Sequence, residues 1–121
     1  MAPGQVWVVS RDAVAYARKH GIVEGEKDRY CVILNADDTL RDDAFPTVWA
    51  AWFTSHCELA NQQDVVLRSE VTGLKEVSCL RLSQIQAVPK TCLIRYYSDL
   101  PEMARQMIRR QLLVILGLAS K

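Results

Sequence analysis

Short apolar runs, separated by polar or glycine-containing stretches, follow one another through most of the chain. Runs of this length, with many β-branched and aromatic residues, are typical of strands. They predict strands at Gln5–Val9, Tyr30–Leu34, Thr47–Phe53, Val65–Leu67, Val77–Ser83 and Ile85–Val88. The segment Ser10–His20, directly after the first run, is rich in alanine and predicts a short helix that Gly21 ends.

The end of the chain has a different periodicity. Asp99 and Pro101 suit the start of a helix, and Gly117 suits its end. A helix over about Asp99–Leu116 would pack an apolar stripe against the rest of the domain or a second subunit: Met103, Met107, Ile108, Leu112, Ile115 and Leu116. Five to seven short strands plus this helix predict a mainly β fold with some α. A small, strongly bent antiparallel barrel with helices packed outside fits that pattern.

Size, charge and cysteine content narrow the class of protein. A chain of 121 residues, half of them hydrophobic, predicts a single domain over residues 1–121. The net charge of +1 gives no overall field that would attract nucleic acid, so an anion site would have to be a local patch. We expect no membrane-spanning segment and no signal peptide. The four cysteines have no CxxC spacing, which favours free thiols and, with the other features, a cytoplasmic protein.

One arginine stands within a run that otherwise resembles a strand. In Val77–Val88, the alternation of a strand would place Arg81 and Ser83 on one face and leucines on the other. A guanidinium on a sheet face costs free energy unless it meets an anion or water. Arg81 therefore indicates either a salt bridge with an acidic neighbour or an anion-binding surface.

Several segments resemble, in order and spacing, the MazF/PemK/Kid family of small metal-independent endoribonuclease toxins. Leu80–Gln86 resembles a strand of that family in which a hydrophobic residue, arginine, a second hydrophobic residue, aspartate and glutamine follow one another. The other similar segments are Pro3–Val9, Arg29–Leu34, Phe53–Ser55, Gly73–Lys75 and Leu116–Leu118. Together they span most of the chain.

The resemblance implies an SH3-like barrel, usually a homodimer, that cleaves single-stranded RNA without a cofactor or metal. It also implies an antitoxin partner that neutralises the toxin by covering the RNA groove. With it we expect catalytic roles for Arg81, Arg29, Thr54 and His20. We expect substrate-binding roles for Ser55, Ser83, Gln84, Lys75 and His56.

Two departures from the family pattern bear on the activity. Ser83 stands where the family has an aspartate, and the helix-forming segment 12–19 fills a loop that usually carries a Gly-His-Glu-like stretch. An unassisted serine is a poor acid or base at neutral pH, so the proton transfers would need another group. The candidates are His20, His56, Glu24 and Glu26. On this interpretation, Ser83→Asp would raise the cleavage rate of a weakened enzyme.

Two other functions fit the same barrel. One is non-catalytic binding of RNA, DNA or a protein partner, which the serine at position 83 favours. The other is a gyrase-poison-like toxin, in which the terminal helix would carry a tryptophan near its end. The chain ends Leu118–Lys121 without one, which makes this the weaker interpretation.

Overall fold

Seven antiparallel strands form the framework of the part of the chain that the computed structural model describes, residues 1–10, 29–35 and 37–120. The strands are β1 (Gln5–Val9), β2 (Arg29–Ile33), β3 (Thr47–Thr54), β4 (Val65–Leu67), β5 (Ser78–Leu80), β6 (Gln86–Pro89) and β7 (Leu93–Asp99). They lie in the order β4-β5-β3-β2-β1-β7, and β6 pairs with β3. The predicted fold class, a mainly β barrel-like domain with a C-terminal helix, is confirmed.

Three helices and three 3-10 turns accompany these strands within the described residues. The helices are α1 (Asp37–Arg41), α2 (Ser69–Thr72) and α3 (Glu102–Ile115), and the 3-10 turns are Cys57–Leu59, Leu82–Gln84 and Lys90–Cys92. None of the three helices is long and apolar enough to cross a bilayer. The helix predicted at Ser10–His20 lies outside the described residues.

Most predicted strands agree with the observed ones to within about two residues, and two differences stand out. The strand predicted at Val77–Ser83 ends at Leu80, where a turn begins. β7 has no predicted counterpart, because Leu93 is its one buried residue and its centre consists of the exposed Arg95 and Tyr96. Its apolar residues are interrupted by Arg95 and mostly exposed or half-buried, so the segment shows neither a continuous apolar run nor a clean alternation.

The sheet buries apolar side chains on both faces, because successive side chains of a strand point in opposite directions. One cluster contains Val9, Cys31, Ile33, Leu40, Val48, Ala50, Trp52, Val88 and Leu93. The other contains Val6, Val32, Ala51, Phe53, Val65, Leu67, Leu80, Leu82, Leu100, Ala104 and Ile108. This double burial explains why the central strands were recognisable as continuous apolar runs.

α3 covers the second cluster with one side of its surface. Ala104 and Ile108 are buried, and Leu112 and Ile115 pack against the same cluster. The other members of the predicted stripe, Met103, Met107 and Leu116, do not pack against the sheet and are 60%, 43% and 65% exposed in the single chain. The prediction of packing against the domain is therefore right for half of the stripe.

The two ends of α3 were predicted with different success. The residue before its first turn is Pro101, and the predicted capping residue Asp99 is instead the last residue of β7. The predicted stop at Gly117 is confirmed, since Gly117 has a φ of 75°. Its amide donates to the carbonyl of Val114, and the amide of Leu118 donates to the carbonyl of Leu113. This pair of bonds is a Schellman motif.

Candidate active site

Strand register brings Arg29, Thr54 and Arg81 to one face of the sheet. Continuing the antiparallel β2–β3 register places Arg29 opposite Thr54. On the other side of β3, Thr54 lies opposite Cys79, and the Arg81 amide donates to the carbonyl of Trp52 at 2.9 Å. Side chains directly opposite each other in a sheet project to the same face. The face that buries Trp52 therefore carries three of the four predicted catalytic residues, and the fourth, His20, lies outside the described residues.

The same register sets the spacing of the two arginines. Arg29 and Arg81 flank β3, two strand-to-strand steps apart and offset by two residues. This separation puts their Cα atoms roughly 12 Å apart. Long side chains at that separation can contact one anion from both sides. The prediction that they share a groove beside Thr54 agrees with the register, and their role in it stays a prediction.

Arg81 forms an ion pair with Asp64, which is one of the two alternatives that the sequence indicated for this arginine. Its Nε donates to Oδ2 of Asp64 at 3.0 Å. The Asp64 side chain is fully buried, and 14% of the Arg81 side chain is exposed. Among the described residues, the terminal nitrogens of Arg81 have no hydrogen-bond partner. The salt bridge and an anion contact are therefore compatible, because they use different nitrogens of the guanidinium.

A tight turn before β4 positions the Asp64 carboxylate next to Arg81. The backbone amide of Asp64 donates to the carbonyl of Asn61 at 3.0 Å, which closes the turn. The Asn61 side chain accepts from the amide of Gln63 at 2.9 Å, and the Asn61 amide donates to Oδ2 of Asp64 at 3.2 Å. Asparagine and aspartate favour such turns because their side chains bond to nearby backbone. The turn fixes Asp64 directly before Val65 of β4.

Ser83 lies on a turn, which corrects the prediction that it shares a strand face with Arg81. Both β5 and β6 pair with β3, with Phe53 opposite Leu80 and Ala50 opposite Gln86. Between these pairs β3 advances three residues and its partner advances six, so three residues are in excess. The 3-10 turn Leu82–Gln84 accommodates them. Leu82 stays buried, so the apolar alternation predicted its burial but not its backbone.

The turn places Ser83 against Asp64. The Ser83 amide donates to Oδ1 of Asp64 at 2.9 Å, and the Ser83 hydroxyl donates to the same oxygen at 2.7 Å. The serine at the position of the family's aspartate is thus in direct contact with a carboxylate from elsewhere in the chain. Gln84, the next residue, has a buried Oε1 without a hydrogen-bond partner among the described residues.

Arg29 begins β2 beside this cluster. Its Nε is buried and has no hydrogen-bond partner within the described residues. The neighbouring Tyr30 points to the opposite face, where its ring meets that of Tyr97 edge-on at 4.9 Å between centroids. A buried guanidinium nitrogen without an acceptor costs free energy, so a ligand oxygen at this position would be stabilising.

The end of β3 carries Thr54, Ser55 and His56. Oγ1 of Thr54 accepts from the His56 amide at 3.1 Å, so the threonine also has a local structural role. His56 is exposed, and its Nδ1 lies 3.1 Å from Oε1 of Glu58. The pKa of Glu58 is lowered, first by its own backbone amide and then by His56. Ser55 is exposed at the same end of the strand.

The remaining predicted site residues are not joined to this cluster. Lys75 is exposed after α2, and no hydrogen bond or ion pair within the described residues connects it to Arg81 or Asp64. His20, Glu24 and Glu26 lie outside the described residues.

Two buried thiols, Cys31 and Cys79, project to the same sheet face as the site residues. Burial raises the pKa of Cys31 to about 12. Burial, followed by the charge of Asp64, raises the pKa of Cys79 to about 11. Both are free, as predicted. Within residues 1–10, 29–35 and 37–120, no three His, Cys, Asp or Glu side chains are grouped closely enough to hold a metal ion.

Asp64 is the site residue that sequence reasoning missed. It belongs to the polar connection that precedes β4, and it lies 19 residues from Ser83. The available signal was local: Asn61 and Asp64 bracket a four-residue turn directly before a strand. That signal predicts the turn but not the residues that the carboxylate contacts.

The sequence matches the model of one known protein family. The family model described as "PemK-like, MazF-like toxin of type II toxin-antitoxin system" matches residues 3–116. None of the functionally curated proteins compared with the sequence matches it.

Three solved structures share the fold. An endoribonuclease in complex with its cognate antitoxin, from a mycobacterial species, has a TM-score of 0.70 at 16% identity, covering 100% of this chain and 97% of that one. The Mycobacterium tuberculosis toxin MazF-mt6 has a TM-score of 0.69 at 16% identity, covering 95% and 98%. A MazE-MazF structure from Deinococcus radiodurans has a TM-score of 0.70 at 12% identity, covering 98% and 97%. At these identities the likeness establishes the fold.

Proposed function

Because the chain belongs to the PemK-like, MazF-like family of type II toxins, we propose that it is an endoribonuclease that cleaves single-stranded RNA. The observation that supports this best is the placement of Arg29, Thr54 and Arg81 on one sheet face. Two guanidinium groups on either side of one strand suit a phosphodiester that gains negative charge as it reacts. A structure with the same fold is described as an endoribonuclease, which agrees with the proposal.

In the proposed reaction, the 2′-hydroxyl of the RNA attacks the adjacent phosphorus and gives its proton to a base. The bond from phosphorus to the 5′-oxygen breaks, and that oxygen takes up a proton. Arg29 and the terminal nitrogens of Arg81 stabilise the additional negative charge of the phosphorane. Donors aimed at a developing charge are commonly worth roughly 10²–10³ in rate.

For the proton transfers we propose His56. Its Nδ1 is held by Glu58 at 3.1 Å, which leaves the other ring nitrogen for substrate. It follows Thr54 at the end of β3, and the Thr54 side chain fixes its amide. His20, Glu24 and Glu26 stay the alternative candidates.

The test is cleavage of several long RNAs by purified protein in EDTA, with nuclease contamination excluded. We expect metal-independent cleavage that falls by roughly 10²–10³ in Arg29→Ala. Arg68→Ala is the matched control, because Arg68 is an exposed arginine after β4 whose guanidinium lies 4.0 Å from Glu70. RNAs that stay intact would contradict the enzymatic function, and equal losses in both variants would contradict the role of Arg29.

A second function, binding without cleavage, is favoured by one specific observation. The carboxylate beside Arg81 is fully buried and fully hydrogen-bonded, so it is poorly suited to take a proton from substrate. Tight binding of single-stranded RNA at low salt, with no cleavage over hours, would support this function instead.

We further propose that the partners are a cognate antitoxin, which covers the cationic face, and a second copy of the chain. Both follow from the resemblance. We also propose a cytoplasmic location, which the cysteine spacing and composition of the sequence favour. Light scattering of the purified protein would give the mass of the assembly. Loss of RNA cleavage on addition of the antitoxin, restored when the antitoxin is removed, would confirm the first partner.

A further inference from the structure

We propose that Asp64 is the positioning residue for Arg81, and that it supplies from the turn before β4 the buried carboxylate that the family pattern places at position 83. This inference rests on the proposed function of the Arg81 face. Nothing in the family pattern described above includes a residue of the 61–64 turn.

The hydrogen bonds of Asp64 separate a positioning role from a catalytic one. Oδ2 accepts from the amide of Asn61 and from Nε of Arg81, and Oδ1 accepts twice from Ser83. Four bonds use the acceptor capacity of a carboxylate. Asp64 is therefore unsuited to act as the base, and its contribution is to fix the guanidinium of Arg81.

Anchoring through Nε determines what Arg81 offers to substrate. A guanidinium is planar, so a bond at Nε fixes the plane and direction of the terminal nitrogens. These nitrogens have no hydrogen-bond partner in the part of the chain that the structure describes, and the side chain is partly exposed. Asp64 thus aims two donor groups at the sheet face that Arg29 shares.

Asp64 also sets the charge of the site. The charges of Asp64 and Arg81 cancel in their ion pair. The three side chains Asp64, Arg81 and Arg29 therefore carry a net charge of +1, which comes from Arg29. Asp64→Asn would remove the negative charge and leave two positive charges. RNA binding should then become tighter and more salt-dependent, while cleavage should become slower because Arg81 is no longer aimed.

The contact between Ser83 and Asp64 changes the expectation for Ser83→Asp. The Ser83 hydroxyl is 2.7 Å from Oδ1 of Asp64, so an aspartate at position 83 would place two carboxylates together in a buried site. The single variant should lose activity rather than gain it. The exchange variant Asp64→Ser/Ser83→Asp would restore one carboxylate to the cluster and should recover function.

The experiment measures three quantities for wild type, Asp64→Asn, Ser83→Asp and the exchange variant. They are the single-turnover cleavage rate, the affinity for an RNA made uncleavable by 2′-deoxy substitution, and the Nε–H NMR signal of Arg81, assigned by its absence in Arg81→Lys. Glu70→Gln is the control, because it removes one exposed carboxylate after β4 without touching the cluster.

For Asp64→Asn we expect a cleavage rate lower by on the order of 10²-fold, as for a misplaced catalytic group. Its RNA affinity should rise, with the slope of log K against log salt steeper by about 0.7. The Arg81 Nε–H signal should move and exchange faster with water. Glu70→Gln should match wild type in cleavage rate and in the NMR signal.

A purely structural role would reduce rate and affinity together, in proportion to the unfolded fraction, and would overturn the proposal. So would an unchanged rate in Asp64→Asn, or an exchange variant no better than Ser83→Asp. If Asp64→Asn does not fold, the exchange variant carries the test through its own rate and Arg81 signal. If wild type cleaves no RNA, the enzymatic function fails, and the affinity and NMR measurements still decide whether Asp64 positions Arg81.

Discussion

Replacing Arg29 by methionine should make the protein more stable and much less active. Nε of Arg29 is buried without a hydrogen-bond partner among the described residues, so the folded state loses no bond when this nitrogen is removed. Relief of an unsatisfied buried donor is worth about 1–3 kcal/mol, and methionine keeps most of the aliphatic packing. We expect a net gain of about 1 kcal/mol, or a rise in Tm of about 4 °C.

The same substitution removes a donor that the proposed mechanism uses in the transition state. The cleavage rate should fall by roughly 10²–10³, equivalent to about 2.7–4 kcal/mol of transition-state stabilisation. Differential scanning calorimetry gives the stability, and single-turnover cleavage of a defined RNA gives the rate. Arg95→Met on β7 is the control, because Arg95 is an exposed arginine on another strand of the same sheet. Both of its values should stay close to those of wild type.

The expected rise in Tm together with the expected fall in cleavage rate separates a catalytic residue from a structural one. A residue that serves the fold loses stability and activity together when it is replaced. If Arg29→Met lowers Tm by several degrees and the rate falls only in proportion to the unfolded protein, Arg29 is structural. If Tm rises and the rate is unchanged, the buried Nε of Arg29 costs stability but has no part in cleavage.

Three further predictions follow from other parts of the molecule. Ile108→Ala should cost about 2–5 kcal/mol of unfolding free energy, whereas Met107→Ala should cost little, because Ile108 is buried against the sheet and Met107 is 43% exposed; urea titration measures both. Glu102→Gln should lower Tm at pH 7 but not well below pH 4.5, because Arg109 and then Arg105 lower the pKa of Glu102, and a depressed carboxyl pKa gives stability that is lost as pH falls. Native protein at pH 8 should resist alkylation at Cys31 and Cys79, whose thiol pKa values are about 12 and about 11, until it is unfolded; mass spectrometry with and without urea checks this.

The strands that the sequence predicted well are those whose burial shows in the order of residues. Tyr30–Leu34 and Thr47–Phe53 are apolar on both sides because the sheet has a core on each face. β7 was missed because it buries Leu93, leaves Tyr97 and Ser98 half-buried and exposes its other residues, which gives no such pattern. The turn at Leu82–Gln84 was missed for a different reason. It exists because two short strands pair with one long strand in registers that differ by three residues, which is a property of the sheet and not of the segment.

Some residues of the site could be predicted from the sequence, and others are brought to the site only by the fold. The resemblance supplied Arg29, Thr54 and Arg81, and strand register brings these three to one face. It also marked Ser83 as a lost carboxylate, because a pattern compares residues position by position. In the proposal above, Asp64 supplies that carboxylate from the turn before β4, where it accepts hydrogen bonds from Arg81 and Ser83. Whether a toxin of this fold retains its activity should therefore be judged by the groups around its arginine in space.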